Sequence, residues 1–445
     1  MTGASSIRRV AVSALVVVAL ALGGCGITKA KTKSTPTVGV RIPILSKIES
    51  GTKVDEGMAA LDVVLPVAEA NADWEQAGGT ASKSYGHLAL GENPRKVWTT
   101  RIAGSSPKQR LAAAPVVGGG KLFVMDTEGY VRAFDAGTGR EQWKVAFRLP
   151  AATASVFGGG AAYSDGKVFI TTGLGEVAAV DAADGKVLWR VKPAGPLRGS
   201  PTIFIGGVYV MTQDNQIVAL NAADGTQLWS ESGSVAQTGV FGVAAAAAGQ
   251  GTIVAGYSSG ELVAYRYENG RQLWSDALAR TSIATSVSTL TDIDADPIIE
   301  RGRVYALGQG GRMAAYELVT GQRVWELNLA GISTPAVAGD WIFTLTDEGK
   351  LLCIAKATGK VRWIAQMKAW RSVKKKKGPI FWTGPVLAGD HLWMANSEGD
   401  LMAASVTDGA VKRHAKLGAP VTLAPVVAGG VLYVLDDSGH ITAFR

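Results

Sequence analysis

The feature that most constrains the fold is an internal repeat of about 45 residues, marked by a tryptophan four positions after a glycine. Residues 177–189 and 217–229 align position by position, and both contain an Ala-Ala-Asp-Gly turn before the tryptophan. Successive marker tryptophans are 38 to 51 residues apart, which is the range of propeller blades. The markers are Trp143, Trp189, Trp229, Trp274, Trp325 and Trp363. The repeat therefore predicts one array of β-blades.

Each repeat predicts a meander of short antiparallel strands. In one unit the apolar runs 121–125 and 130–135 are separated by an Asp-Thr-Glu-Gly turn, and a second glycine turn leads to the tryptophan strand. No stretch of 12 residues follows the period of an α-helix. Proline opens the first strand of many units, where a missing N–H is tolerated. The chain is therefore predicted to be all-β.

The two ends of the repeat array predict the number of blades. Residues 441–445 match residues 131–135, so the last unit stops before its tryptophan strand. The missing strand is supplied by Trp98, which has no repeat before it, and Arg413 replaces the tryptophan of the seventh unit. We therefore predict an eight-bladed β-propeller of four-stranded antiparallel blades over residues 90–445. The N-terminal and C-terminal strands close it in one blade, which leaves only short edges.

The N-terminus indicates export and a lipid anchor. Residues 1–24 are predicted to be a signal peptide, because Arg8 and Arg9 precede a 13-residue, largely apolar run at residues 10–22. That run is too short to span a bilayer, which takes about 20 residues. The Leu-Gly-Gly-Cys sequence that ends at Cys25 resembles a bacterial lipobox, in which the cysteine is acylated and becomes the first residue.

A tether is predicted to follow the anchor. Residues 25–89 are assigned to a lipidated tether and N-terminal extension, since residues 26–72 show no sustained period. Gly26 is not the Asp that retains enteric lipoproteins in the inner membrane, so an outer-membrane location facing the periplasm is favoured. The acyl chains on Cys25 are then the contact with outer-membrane lipid.

Most chemically conspicuous residues have structural explanations. The recurring tryptophans are predicted to pack between blades, with the indole N–H donating to a backbone carbonyl. Cys353 occupies a slot that is Ala133, Ala179 or Ala219 in other units, which predicts an inert core thiol. The two cysteines give no disulfide framework and the four histidines no metal-ligand spacing. We expect no cofactor, no metal and no nucleic-acid partner.

Residues 368–377 form a basic run within an extended connection between blades. They include Lys368, Arg371 and four consecutive lysines at residues 374–377. A solvated loop is the default interpretation, and contact with anionic lipid or another polyanion is the alternative.

The repeat resembles the pyrroloquinoline-quinone-type propeller repeat, and the whole chain is similar to the BamB family of outer-membrane assembly lipoproteins. Two motifs carry this resemblance beyond the lipobox and the unit count. They are Pro-Leu-Arg-Gly-Ser-Pro at residues 196–201 and Leu-Thr-Asp-Ile-Asp-Ala-Asp-Pro at residues 290–297. The resemblance implies a non-enzymatic scaffold of the BAM complex that docks on a POTRA domain of BamA and assists folding and insertion of outer-membrane proteins. Other BAM subunits and unfolded outer-membrane proteins are further candidate partners.

The same resemblance suggests the partner-binding residues Leu197, Arg198, Asp292 and Asp294. We expect both loops to be exposed and to flank one groove, with Leu197 as an apolar anchor and the charges setting register. The structural alternative is a pair of ordinary surface turns with local salt bridges.

Two other functions compete with the scaffold. A quinoprotein dehydrogenase shares the repeat, but it needs a Ca²⁺ site, an Asp base and usually adjacent cysteines, and the chain has no Cys-Cys pair. Another periplasmic binding propeller is the second alternative, because fold does not fix function.

Overall fold

A computed structural model of the chain describes residues 52–147, 157–234, 244–278 and 291–445. It confirms the prediction of an all-β, eight-bladed propeller, since eight four-stranded antiparallel sheets follow one another along the chain. The described residues contain one short helix, α1 (Glu56–Ala59), which Asp55 caps through its side chain. No helix in this part of the chain is long and apolar enough to cross a membrane.

The two inner strands of each blade are apolar and mostly buried, because each faces a neighbouring blade on both sides. The innermost strands are β2 (Val116–Gly118), β6 (Gly159–Ser164), β10 (Thr202–Phe204), β14 (Ala247–Gly249), β18 (Ile298–Glu300), β22 (Ala336–Ala338), β28 (Trp382–Ala388) and β32 (Val426–Ala428). The second strands are β3 (Lys121–Met125), β7 (Lys167–Thr172), β11 (Gly207–Met211), β15 (Thr252–Gly256), β19 (Arg303–Gly308), β23 (Trp341–Leu345), β29 (His391–Asn396) and β33 (Val431–Leu435).

Burial decreases from the third strand to the outer strand, which is mostly exposed. The third strands are β4 (Tyr130–Asp135), β8 (Val177–Asp181), β12 (Gln216–Asn221), β16 (Glu261–Arg266), β20 (Arg312–Glu317), β24 (Lys350–Ala355), β30 (Asp400–Ser405) and β34 (His440–Phe444). The outer strands are β5 (Glu141–Ala146), β9 (Val187–Val191), β13 (Gln227–Ser232), β17 (Gln272–Ala277), β21 (Arg323–Leu327), β25 (Val361–Gln366), β31 (Val411–Lys416) and β1 (Lys96–Arg101). We number the blades 1 to 8 in chain order, so that β2 belongs to blade 1 and β32 to blade 8. A separate hairpin, β26 (Trp370–Ser372) and β27 (Lys377–Pro379), lies between blades 6 and 7.

The ring closes as predicted. Strand β1 pairs antiparallel with β34, so Trp98 lies opposite Ala443 and Arg101 opposite His440. The eighth blade therefore takes its outer strand from the N-terminal side of the array and its other three strands from the C-terminal end.

The marker tryptophans lock each blade to the next, as predicted. Trp189 donates its indole N–H to the carbonyl of Ala222 at 3.1 Å, and its ring covers Gly225. Gly225 has a φ of +76°, and a Cβ there would come within 2.7 Å of the Trp189 ring. The same indole-to-carbonyl bond is made by Trp98, Trp143, Trp229, Trp274, Trp325 and Trp363. The turn glycine of each such blade therefore lies under the tryptophan of the preceding blade. The tryptophan four residues later covers the turn of the following blade.

The prediction that Cys353 is an inert core thiol can also be compared with the structure. Cys353 is fully buried opposite Trp363, as Ala219 is opposite Trp229, which confirms its place in the small-residue slot. Burial raises the pKa of the Cys353 thiol well above its usual range, so the thiol stays protonated and unreactive.

The N-terminal extension fills the central channel. Residues 71–89, here called the channel plug, bury Trp74, Gln76, Lys83 and Leu88. The plug makes hydrogen bonds to innermost-strand residues of seven blades, namely Val117, Tyr163, Ile203, Ala248, Ile299, Leu387 and Val427. These inner edges offer N–H and C=O groups that no strand pairs. Part of the segment that the sequence predicts to be a tether is therefore packed inside the propeller.

Candidate docking site

Two loops that are far apart in sequence meet on one face of the ring. The first contains Leu197 and Arg198 and precedes β10, and the second, residues 291–297, precedes β18. Arg198 donates from one guanidinium nitrogen to Asp292 Oδ1 at 2.8 Å and to Asp294 Oδ1 at 3.2 Å. The structure therefore brings together the charged residues that the sequence predicts as one site.

The expectation that these residues are exposed is wrong for Leu197, Arg198 and Asp292, whereas Asp294 is partly exposed. Leu197 is 0% exposed, Arg198 2% and Asp292 1%. The backbone explains this burial, because Arg198 N donates to the Met211 carbonyl at 2.8 Å and fixes the first loop against the end of β11. Leu197 thus packs in the core between blades 2 and 3 and is not an apolar anchor at the surface.

Burial also controls the charge of this cluster. The pKa of Asp294 is raised to about 7, first by burial and then by the neighbouring Asp292 charge, with Arg198 opposing both. Burial likewise raises the pKa of Asp292, and the Arg198 charge opposes the change. One cation thus faces two carboxyl groups that cannot both ionise without cost. The cluster is held together by the hydrogen bonds from Arg198 to Asp292 and Asp294, and not by charges at the surface.

The second loop continues into a hub that sequence analysis did not identify. Asp296 accepts from Ala245 N at 2.7 Å, and its own N–H donates to Thr334 Oγ1 at 3.0 Å. These two bonds tie the loop to blade 4 on one side and to the start of blade 6 on the other. The Asp-x-Asp-x-Asp spacing was the available signal, because alternate carboxyl groups on an extended segment point to one side.

Lys83 of the channel plug approaches the same hub. Its ammonium donates to Thr202 Oγ1 at 3.2 Å, and it interacts electrostatically with Asp296. Burial lowers the pKa of Lys83 to about 8, while the Asp296 charge works in the opposite direction. The plug is therefore coupled electrostatically to the loop that Arg198 holds.

A funnel opens on this face above the plug. Its cavity of about 440 Å³ has Trp74, Gly78 and Tyr85 at its floor and the segments that precede the innermost strands as its wall. Asp294 and Asp296 line it as well. Ile332 and Phe381, at its rim, are 45% and 64% exposed. The funnel face thus combines the buried charge cluster with exposed apolar side chains.

Two further points of the sequence analysis concern the lipid anchor and a possible metal site. Cys25, with the signal peptide, lies outside the described residues. Among the residues that the structure does describe, no three His, Cys, Asp or Glu side chains are grouped to hold a metal ion.

The fold and this face define a closed, eight-bladed propeller of the pyrroloquinoline-quinone repeat class with a plugged channel. The family model described as outer membrane protein assembly factor BamB matches residues 86–155, 127–365 and 367–445. The chain therefore belongs to the BamB family.

Individual relatives agree with this assignment. The outer membrane protein assembly factor BamB of Salmonella typhimurium is 28% identical over 355 residues, which cover 79% of this chain and 88% of that protein. The crystal structure of BamB from Moraxella catarrhalis superposes with a TM-score of 0.66 at 19% identity, over 79% of this chain and 99% of the other.

The fold alone does not separate the family from enzymes. The quinohemoprotein alcohol dehydrogenase of Comamonas testosteroni superposes with a TM-score of 0.67 at 14% identity, over 85% of this chain and 81% of the other. At such identities the likeness concerns the fold, and function has to be argued from the site.

Proposed function

We propose that the chain is a lipid-anchored, non-enzymatic scaffold of the outer-membrane β-barrel assembly complex. It docks on a periplasmic POTRA domain of BamA through the funnel face and assists folding and insertion of outer-membrane proteins. Cys25 carries the acyl chains and holds the propeller at the periplasmic side of the outer membrane. Membership of the family whose relatives are named assembly factors supports this proposal.

The observation that carries the docking site is the bond from Arg198 to Asp292 and Asp294 across 94 and 96 residues of sequence. Because Arg198 and Asp292 are buried and Asp294 is only partly exposed, we assign them a positioning role and not direct contact. They fix two loops whose exposed neighbours, such as Pro196, form the surface that meets the partner. A preorganised surface loses less conformational entropy when it binds.

The plug supports a scaffold over a dehydrogenase. The centre of the ring holds Trp74, Gln76 and Lys83 of the chain itself, each bonded or packed against innermost strands. A flat cofactor at this level of the channel would have to displace these side chains and their hydrogen bonds.

Binding of the BamA periplasmic region to immobilised protein tests the proposal. Pro196→Glu places a bulky charge on the funnel face, and we expect at least a tenfold weaker affinity with an unchanged unfolding midpoint, because Pro196 is exposed. The matched control is Lys186→Glu, an exposed change in a turn at the opposite end of the strands.

A third variant examines the positioning role. Arg198→Met leaves Asp292 buried without its cation, so we expect a loss of about 3 kcal/mol or more in stability together with weaker binding. Wild-type affinity in both Pro196→Glu and Arg198→Met would refute a docking site on this face.

A further inference from the structure

The connection between blades 6 and 7 has a fold of its own. Strands β26 and β27 form a two-stranded sheet, in which Trp370 lies opposite Pro379 and Ser372 opposite Lys377. We call residues 368–382 the basic hairpin. Among the described residues, this is the one connection between blades that forms a separate sheet.

The base of the basic hairpin is fixed to the propeller. Ile380 N donates to the Ala369 carbonyl at 2.9 Å, and the Trp382 indole donates to the Lys368 carbonyl at 3.0 Å. Phe381 N donates to Ser397 Oγ at 3.0 Å, which joins the hairpin to blade 7. An isolated two-stranded hairpin is marginal in water, so these bonds are what hold the tip in place.

The basic side chains at the base of the hairpin are paired with a carboxylate, whereas those at its tip are not. Lys368 lies 3.1 Å and Arg371 3.7 Å from the carboxylate of Glu398. The four lysines at residues 374–377 are exposed, and none of them lies within 4 Å of a carboxylate in the part of the chain that the structure describes. Four like charges in a row repel one another, and an anionic partner relieves this repulsion.

The basic hairpin also exposes apolar side chains, one of them next to the lysines in sequence. Val373, at the turn, is 69% exposed, and Phe381, at the base, is 64% exposed. Lysines with apolar neighbours on one projecting element are the pattern of a surface that meets lipid headgroups, where the ammonium groups contact phosphates and the apolar groups enter the interface.

We propose that the basic hairpin is a second membrane contact, which binds anionic phospholipid headgroups through the four lysines at residues 374–377. Val373 enters the headgroup region between them. The hairpin acts with the lipid anchor, since one acyl signal and a basic patch together give more stable membrane association than either alone.

The path of the N-terminal segment favours lipid over other polyanions. Asp55 N donates to the Val361 carbonyl at 2.9 Å, and Arg362 donates to the Leu61 carbonyl, so residues 55–61 lie against the start of β25. The basic hairpin follows the other end of this six-residue strand, about 20 Å away. The first described residues and the hairpin therefore lie at the two ends of one outer strand, and acyl chains on Cys25 would raise the concentration of lipid available to the hairpin. This step rests on the proposed anchor.

Vesicle sedimentation tests the proposal on the mature chain with Cys25→Ser, which removes the acyl signal. The vesicles contain phosphatidylcholine alone or with about 30% phosphatidylglycerol, at about 0.1 M and about 0.5 M salt. The hairpin variant changes the four lysines at residues 374–377 to glutamine. The matched control removes four exposed positive charges elsewhere, at Lys96, Lys108, Lys186 and Lys192.

We expect the unmodified hairpin to bind the anionic vesicles, and its binding to fall with salt. Each basic residue near an anionic surface contributes roughly fivefold, so the hairpin variant should lose at least tenfold in partitioning while the control keeps most of it. Equal losses in the two variants, or equal binding to vesicles without phosphatidylglycerol, would overturn the proposal. So would binding of soluble polyphosphate without vesicle binding, which would make the hairpin a site for another polyanion. Unchanged binding of BamA by the hairpin variant keeps this test separate from the docking proposal.

Discussion

Replacing Asp294 by Asn tests the electrostatics of the buried cluster most directly. Asn has the same shape, and its Oδ1 can still accept from Arg198, which lies 3.2 Å from Asp294 Oδ1. Unlike Asp, it does not titrate and carries no charge toward Asp292. The change therefore removes one ionisable group from the folded protein and leaves the hydrogen-bonding arrangement in place.

The magnitude follows from the two titration ranges. The pKa of Asp294 rises from 3.8 to about 7 in the folded chain because burial and Asp292 disfavour its ionised form. Between these values the folded chain holds a proton that the unfolded chain has lost, so stability falls as pH rises through this window and levels off above about 7. At about 1.4 kcal/mol per pH unit, with the slope falling as pH 7 is approached, the wild type should lose roughly 2 kcal/mol between pH 5 and pH 7 relative to Asp294→Asn.

Urea unfolding of both proteins at several pH values measures this difference. Groups that the two proteins share cancel in the comparison, and Asp184→Asn, which removes an exposed carboxylate at the opposite end of the strands, controls for the loss of one negative charge. A constant difference between wild type and Asp294→Asn from pH 5 to pH 8 would refute the raised pKa and the like-charge contact with Asp292.

Four further outcomes are expected. Gly225→Ala should cost about 2 kcal/mol more in unfolding free energy than Gly206→Ala, because both sites have positive φ but only the first meets the Trp189 ring; equal losses would contradict the tryptophan lock. Trp74→Ala should cost about 3 kcal/mol or more by urea unfolding, and unchanged stability would show that the plug is dispensable. Cys25→Ser should leave a folded protein in the soluble fraction, and retention in a salt-washed membrane pellet would contradict the lipid anchor. Purified protein given pyrroloquinoline quinone and Ca²⁺ should show no bound chromophore and no alcohol oxidation, whereas stoichiometric uptake with turnover would support an enzyme.

The fold could be predicted from sequence because its determinants are local. In one blade the turn glycine contacts the tryptophan of the preceding blade, and the tryptophan four residues later contacts the following blade. One short motif therefore indicates the contacts with both neighbours. The exception at Arg413 has a structural reason as well. In the eighth blade the outer strand, β1, comes from the N-terminal side of the array, so no turn joins it to the third strand, β34. There is accordingly no turn glycine for a seventh-blade tryptophan to cover.

The burial of the site could not be predicted because its cause is not local. Arg198 and Asp292 have no apolar period around them, and such segments are ordinarily exposed loops. Their burial depends on a partner 94 residues away and on a backbone bond to Met211. The plug was missed for the same reason, since residues 71–89 pair with innermost strands one residue at a time and leave no periodic pattern.

The non-local contacts also explain how a ring of similar blades can present one specific face. Arg198 links the loops before blades 3 and 5, and Asp296 extends the link to blades 4 and 6. Lys83 adds the plug to this network from inside the channel. Each blade alone is held only to its neighbours, but this network spans several blades and fixes the loops relative to the centre of the ring. A partner that binds the funnel face therefore contacts a surface whose shape is fixed before binding. Such a surface allows specific docking without a large loss of conformational entropy.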